Sequence, residues 1–131
     1  MFKVKITHTY IIALLSSFVF SANADEYLNA KEIKQLVSGN SITGIWRGKE
    51  FKQNNHADGG AIVNIKTMQL FNVPWIANEK NQYCEDWGDW GWGCYKLKRI
   101  RDNKYLSIRV DTKKEETSIW TIHLGFIAIN L

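Results

Sequence analysis

Cys84 and Cys94 are the two cysteines of the chain, and the run between them, QYCEDWGDWGWGCY from Gln82 to Tyr95, holds three of six tryptophans and three glycines. A bond between the two would lock neighbouring strands into one register, and register decides which side chains a sheet buries. Such bonds persist in oxidising compartments. The N-terminus points to one. Lys3 and Lys5 form a short basic region, Tyr10 to Phe20 is an apolar run broken only by Ser16 and Ser17, and Ala22-Asn23-Ala24 has the small-x-small form of a cleavage site. That order is the pattern of a secretory signal peptide over residues 1–24, removed after Ala24. The apolar run falls short of the roughly 20 residues that span a bilayer, so no stable membrane span is expected after cleavage. Asp25 would open the mature chain, and offers no thiol for a lipid. The protein is expected in the periplasm or outside the cell, where C-x9-C predicts one intramolecular disulfide. A metal site would need more ligands, and no histidine lies nearby, so neither metal nor cofactor is expected.

Residues 25–131 make one domain, small enough to benefit from a covalent staple. Loss of Lys3 and Lys5 takes the formal charge from +4 to +2. The densest basic cluster is Lys96, Lys98, Arg99 and Arg101, which reads as a solvated strand face and not as a nucleic-acid site. The domain opens on a short helix. Asn29 is its N-cap with Glu32 three residues on, which completes a capping box, and Leu28 with Ile33 forms a hydrophobic staple. Ile33, Leu36 and Val37 make one apolar stripe, and Gly39 offers a left-handed stop. So short a helix needs an apolar surface to dock on.

Beyond Gly39 the chain reads as strands and turns. Ser41 to Phe51 alternates. Asp58-Gly59 marks a hairpin, and Gly60 to Lys66 alternates again. Met68 to Ala77 is apolar, with Pro74 limiting it to an edge, a strand start or a bulge. Asp102-Asn103 and Lys113 to Glu116 are turns, and Thr117 to Leu131 is a last apolar run. The fold class expected is mainly β: a small antiparallel barrel or curved sheet, lipocalin-like in spirit, with one short N-terminal helix. If Cys84 faces Cys94, then Tyr83 faces Tyr95 and Gly88-Asp89-Trp90 is a three-residue loop. If Asp102-Asn103 is a two-residue turn, Tyr95 faces Val110 and Leu97 faces Ile108. Tyr83, Tyr95, Leu97, Leu106, Ile108 and Val110 then share one face. Lys96, Lys98, Ser107, Arg109 and the disulfide share the other.

The start LNAKEIKQLVSGNSITG, the turn at Asp58-Gly59 and the stretch YCEDW…GCYKLKRIRDNKYL resemble the exported bacterial proteins of domain of unknown function family 995. The shared marks are Ser38-Gly39-Asn40 after the helix, the C-x-x-W from Cys84 to Trp87, and the pair Cys94-Tyr95. The resemblance implies a small exported domain, and implies no activity or catalytic residues.

Motifs for nucleophilic, zinc or phosphate chemistry are absent from the sequence. His56 reads as a turn residue and His123 as a hydrogen-bonded sheet residue. Glu85, Asp86 and Asp89 suggest a carboxylate-based hydrolase, but alternation puts Glu85 and Asp86 on opposite faces of a strand. No catalytic residue is assigned. Trp46, Trp75 and Trp120 read as core. Trp87, Trp90 and Trp92, beside glycines that leave ring faces uncovered, are the candidate binding residues, with Asp89 at the loop tip. The reading favoured is a non-enzymatic binding or inhibitory module that meets an envelope or extracellular protein through this hairpin. The alternative is a carrier of a small apolar or planar ligand in a barrel cavity. A cavity behind Tyr95, Leu97 and Ile108 would favour the carrier. A closed core with an exposed Trp90 would favour the protein binder.

Overall fold

Helix α1 (Ala30–Val37) begins at its capping box: Asn29 accepts the Glu32 N–H through its side chain, and the Glu32 carboxylate accepts the Asn29 N–H. The computed structural model describes residues 26–130, so the signal peptide expected over residues 1–24 lies outside the described residues. Ile33 and Val37 are fully buried, while Leu36 is only half-buried. The helix stops at Gly39, whose φ of +73° suits a residue without a Cβ. The Asn40 side chain then donates to the Leu36 carbonyl.

Eight antiparallel strands follow in sequence order and close on themselves: β1 (Asn40–Trp46), β2 (Lys49–Asn55), β3 (Gly60–Ile65), β4 (Leu70–Ala77), β5 (Tyr83–Asp86), β6 (Trp92–Arg101), β7 (Lys104–Arg109) and β8 (Glu116–His123). Ser41, Ile42 and Thr43 of β1 pair with His123, Ile122 and Thr121 of β8, which closes the barrel and leaves no free edge. The expectation of a small antiparallel barrel with one short helix holds. The alternating stretch Ser41 to Phe51 is a hairpin, not one strand. Arg47 and Gly48 both have positive φ, and Trp46 pairs with Lys49 across them.

The two ends of the barrel differ. At one end α1 packs on β1 and β4 and is tied down by the chain around it. Leu28 N–H donates to the Leu97 carbonyl, Ala30 N–H to the Asn81 side chain, and Gly39 N–H to the Asn55 carbonyl. Beneath the helix, Trp75 stacks on Tyr83 with ring centroids 5.9 Å apart, and the Trp75 indole N–H donates to the His56 carbonyl. Among the described residues nothing comparable covers the other end, where the β1–β2, β3–β4, β5–β6 and β7–β8 turns stand.

The disulfide forms as expected. Cys84 and Cys94 are bonded and directly opposed, Tyr83 faces Tyr95, and Trp87 N–H donates to the Gly91 carbonyl around a turn at Gly88–Trp90. The next hairpin departs from expectation. Arg101 pairs with Lys104 across Asp102-Asn103, but Arg99 then pairs with Tyr105, Leu97 with Ser107 and Tyr95 with Arg109. Ile100 is one extra residue, a bulge, and beyond it every residue of β7 changes side. Tyr105, Ser107 and Arg109 therefore enter the barrel with Tyr83, Tyr95 and Leu97. Leu106, Ile108 and Val110 share the outer side with Lys96 and Lys98. In β8 the inward parity belongs to Trp120 and Ile122.

Pro74 sits inside β4, facing out and exposed. Its missing N–H falls where the pairing with β5 ends, at Trp75 opposite Glu85. Beyond that point Phe71 meets the rings of Trp87 and Trp90 from the next hairpin, at 5.3 and 5.8 Å between centroids.

Truncation of Ile33 to Ala should cost about 2–5 kcal/mol, as buried aliphatic truncations do. Leu36→Ala should cost clearly less in the same denaturant melts; equal losses would contradict the docking described. Replacing both cysteines by Ser should remove about 2–3 kcal/mol by freeing the short loop in the unfolded chain.

Candidate functional site

The uncovered end opens into a cavity of about 1240 Å³. Its walls are aromatic: Trp46, Phe51, Trp87, Trp90, Tyr95 and Trp120 all line it. Two glycines take inward positions near it, Gly44 beneath the wall rings and Gly93 in the lining. A Cβ on Gly44 would stand 2.9 Å from the Phe51 ring and 3.1 Å from Trp120, whose rings meet edge to face at 6.1 Å across that glycine. Gly93 is opposite Glu85, and a Cβ there would meet Arg109 and Trp87 at 3.8 Å, an ordinary contact.

Polar groups converge where the cavity reaches the middle of the barrel. Glu85 is 4% exposed. Its Oε1 accepts from the Tyr83 hydroxyl at 2.8 Å and from Gln53 Nε2 at 3.0 Å; its Oε2 accepts from the Trp87 indole at 3.1 Å. Gln53 Nε2 also lies 2.9 Å from Asn55 Oδ1 and 3.0 Å from Tyr83 Oη, and Asn55 donates to Tyr83 at 2.7 Å. Among the described residues no buried side-chain nitrogen or oxygen lacks a hydrogen-bond partner. A buried network so fully paired holds its members in one arrangement.

Burial pushes the Glu85 carboxyl above its ordinary range, and the donors Gln53, Tyr83 and Trp87, with the charge of Arg109, only partly offset it. Burial raises the Tyr83 and Tyr95 phenols too, with Glu85 adding to both. Around the rim a chain of charges alternates. Arg109 pairs with Asp111 through two bonds of 2.8 and 3.2 Å and approaches Glu116 at 4.0 Å; Glu116 in turn pairs with Arg47 at 3.2 Å. The Arg109 bond holds Asp111 below the usual carboxylate range.

The candidate binding residues separate. Trp87 turns inward onto Glu85 and Phe71. Trp90, 69% exposed, stands at the rim with its ring 6.4 Å from that of Trp87. Trp92 lies on the outer wall opposite Asp86, and Asp89 is exposed at the loop tip, outside the cavity lining. Glu85 and Asp86 fall on opposite faces, as alternation requires. Of the tryptophans assigned to the core, Trp75 and Trp120 are buried, whereas Trp46 is half-buried and lines the mouth. His123 bonds Thr43 across the β1–β8 seam, and His56 meets Phe126 edge to face.

Sequence reasoning missed Gln53, Glu85 and Arg109 as site residues. For Glu85 a signal existed: in Tyr83-x-Glu85-x-Trp87, alternation puts all three on the inner face once Tyr83 is inside. Arg109 carried none, because only the bulge at Ile100 turns it inward.

Comparison with family models, curated proteins and solved structures yields no match to this chain.

With its carboxyl raised in the fold, Glu85 binds its proton more tightly folded than unfolded. The stability it contributes is full below its unfolded pKa and lost as pH rises through the folded one. Denaturant melts from about pH 4 to 8 should therefore show a downward slope with rising pH that Glu85→Gln flattens. An identical slope in the variant would contradict the burial argument.

Proposed function

We propose that the domain is a calyx that carries a small planar or largely apolar molecule, not an enzyme. One observation carries this reading: a barrel closed by α1 at one end holds, at the other, a cavity of about 1240 Å³ with aromatic walls and a few fixed polar groups. Ligand sites are concave and mostly apolar, with a small number of polar groups that orient the guest. Eight strands are about the number at which a barrel interior can hold one small ligand. Export to an oxidising compartment and a place among the small exported domains of family 995 belong to the same proposal, which the Cys84–Cys94 bond supports.

A protein-binding role for the hairpin remains the second reading. Trp90 and Trp92 are 69% and 46% exposed, and rigid exposed indoles make effective anchors. In the carrier reading Trp90 belongs to the mouth, where it shares Phe71 with Trp87.

The test is titration with a neutral fluorescent naphthylamine. One molecule should bind per chain, with energy transfer from the lining tryptophans. Gly93→Leu projects a side chain into the cavity from a position where a Cβ meets nothing closer than 3.8 Å, so it should abolish binding without unfolding the domain. Binding that survives Gly93→Leu but vanishes with Trp90→Ala would move the site to the outer hairpin and favour the protein-binding reading.

A further inference from the structure

We infer that the calyx selects organic cations: a quaternary or protonated amine carried on a planar body, held with its charge beside Glu85 and against the faces of the lining rings. The inference rests on the carrier reading and adds the charge of the guest. Three observations lead to it.

The first is the pairing of charges. Both guanidinium groups at the mouth already have carboxylates, Arg109 with Asp111 and Arg47 with Glu116. Glu85, a carboxylate only 4% exposed, takes its hydrogen bonds from Tyr83, Gln53 and Trp87, all neutral. A buried anion whose hydrogen bonds all come from neutral donors, with the Arg109 charge already shared with Asp111, keeps much of its desolvation cost, and a cation brought beside it lowers that cost. An anionic guest would raise it.

The second is the sign of the mouth. Without Lys3 and Lys5 the chain carries a formal +2, yet among charged lining residues Glu85, Glu115 and Glu116 outnumber Arg47 and Arg109, and Asp111 beside Arg109 adds another negative charge. A basic protein thus opens an acidic cleft, which attracts cations.

The third is the rings. Aromatic faces attract cations, most strongly when water is excluded. Rings at this end already do so: the Arg47 guanidinium lies 4.9 Å from the Trp46 ring centre and that of Arg109 6.0 Å from Tyr95. Trp87 brings an indole directly onto the Glu85 carboxylate, and Tyr95 on the neighbouring strand meets the Trp120 ring at 4.9 Å.

The charged and titratable groups that face Glu85 are Tyr83 on its own strand, Tyr95 on β6, Arg109 on β7 with its partner Asp111, and Glu116 on β8; β2 contributes only the neutral Gln53 and Asn55. Both phenols are raised and Asp111 is lowered. As pH falls through the raised range of Glu85, that carboxylate gains its proton and cation affinity should fall with it.

The experiment compares three guests of one shape across a pH series from about 6 to 9, read at the alkaline end where Glu85 is most ionised: benzyltrimethylammonium, its neutral isostere neopentylbenzene, and the anion phenylmethanesulfonate. The cation should bind about tenfold or more tighter than the neutral guest, with the anion weakest. Glu85→Gln should erase the preference for the cation while the neutral guest still binds. If that variant does not fold, the wild-type comparison and its loss of cation affinity towards acid pH decide. Equal or tighter binding of the neutral guest or the anion overturns the cation inference and leaves the calyx standing. Failure of all three guests and of the naphthylamine to bind overturns both.

Discussion

The opposition of Cys84 and Cys94 sets the terms for the rest of the barrel. Strand side chains alternate, so two cysteines bonded on the outer wall oblige Tyr83, Glu85, Gly93 and Tyr95 to face inward. That puts a carboxylate inside a small barrel, where it survives only with donors around it. Tyr83 from the same strand, Gln53 from β2 and Trp87 from the following turn supply them. The turn itself, with glycines at positive φ at Gly88 and Gly91, lets the Trp87 indole fold back on Glu85. Staple, buried acid and aromatic mouth thus follow from one register.

The asymmetry of the two ends has an equally local origin. A capped helix of eight residues presents Ile33 and Val37 and closes one opening. At the other, short turns bring rings and alternating charges rather than a cover. Pro74 ends the β4–β5 pairing there, and Phe71, Trp87 and Trp90 come together where the two strands part. A neutral core would have filled this volume with aliphatic side chains. Gly93 instead leaves room, Gly44 lets the Phe51 and Trp120 rings pack close to the wall, and the polar groups that line the cavity are fixed by one another.

Legibility in the sequence followed how local each signal was. The capping box of α1, the Asp58-Gly59 turn and the cysteine hairpin depend on residues within a few positions, and all three stand in the structure. The Arg47-Gly48 turn escaped because the alternation of Ser41 to Phe51 runs through it without a break and Arg-Gly is not a common hairpin signature. The face of β7 escaped for a deeper reason. Leu106, Ile108 and Val110 are the apolar set, yet the Ile100 bulge places Tyr105, Ser107 and Arg109 inside, Tyr105 in the core and Ser107 and Arg109 along the cavity. The inside of this barrel is not its most aliphatic surface, so hydrophobic parity points the wrong way. Trp87 and Trp90 were recognisable as site residues from their glycine neighbours. Their division between interior and rim was not, because it depends on how β4 and β5 part.

The central claim is that the open half of the barrel is a preformed ligand chamber with Glu85 at its floor. A crystal structure of the protein grown with a bromine-labelled aromatic amine tests it most directly, since anomalous scattering locates the guest without reference to side-chain placement. The account predicts one bromine peak inside the barrel, between Trp46, Tyr95 and Trp120, with the amine towards Glu85. A peak only on the outer wall beside Trp92, or an interior filled by its own side chains, would contradict it.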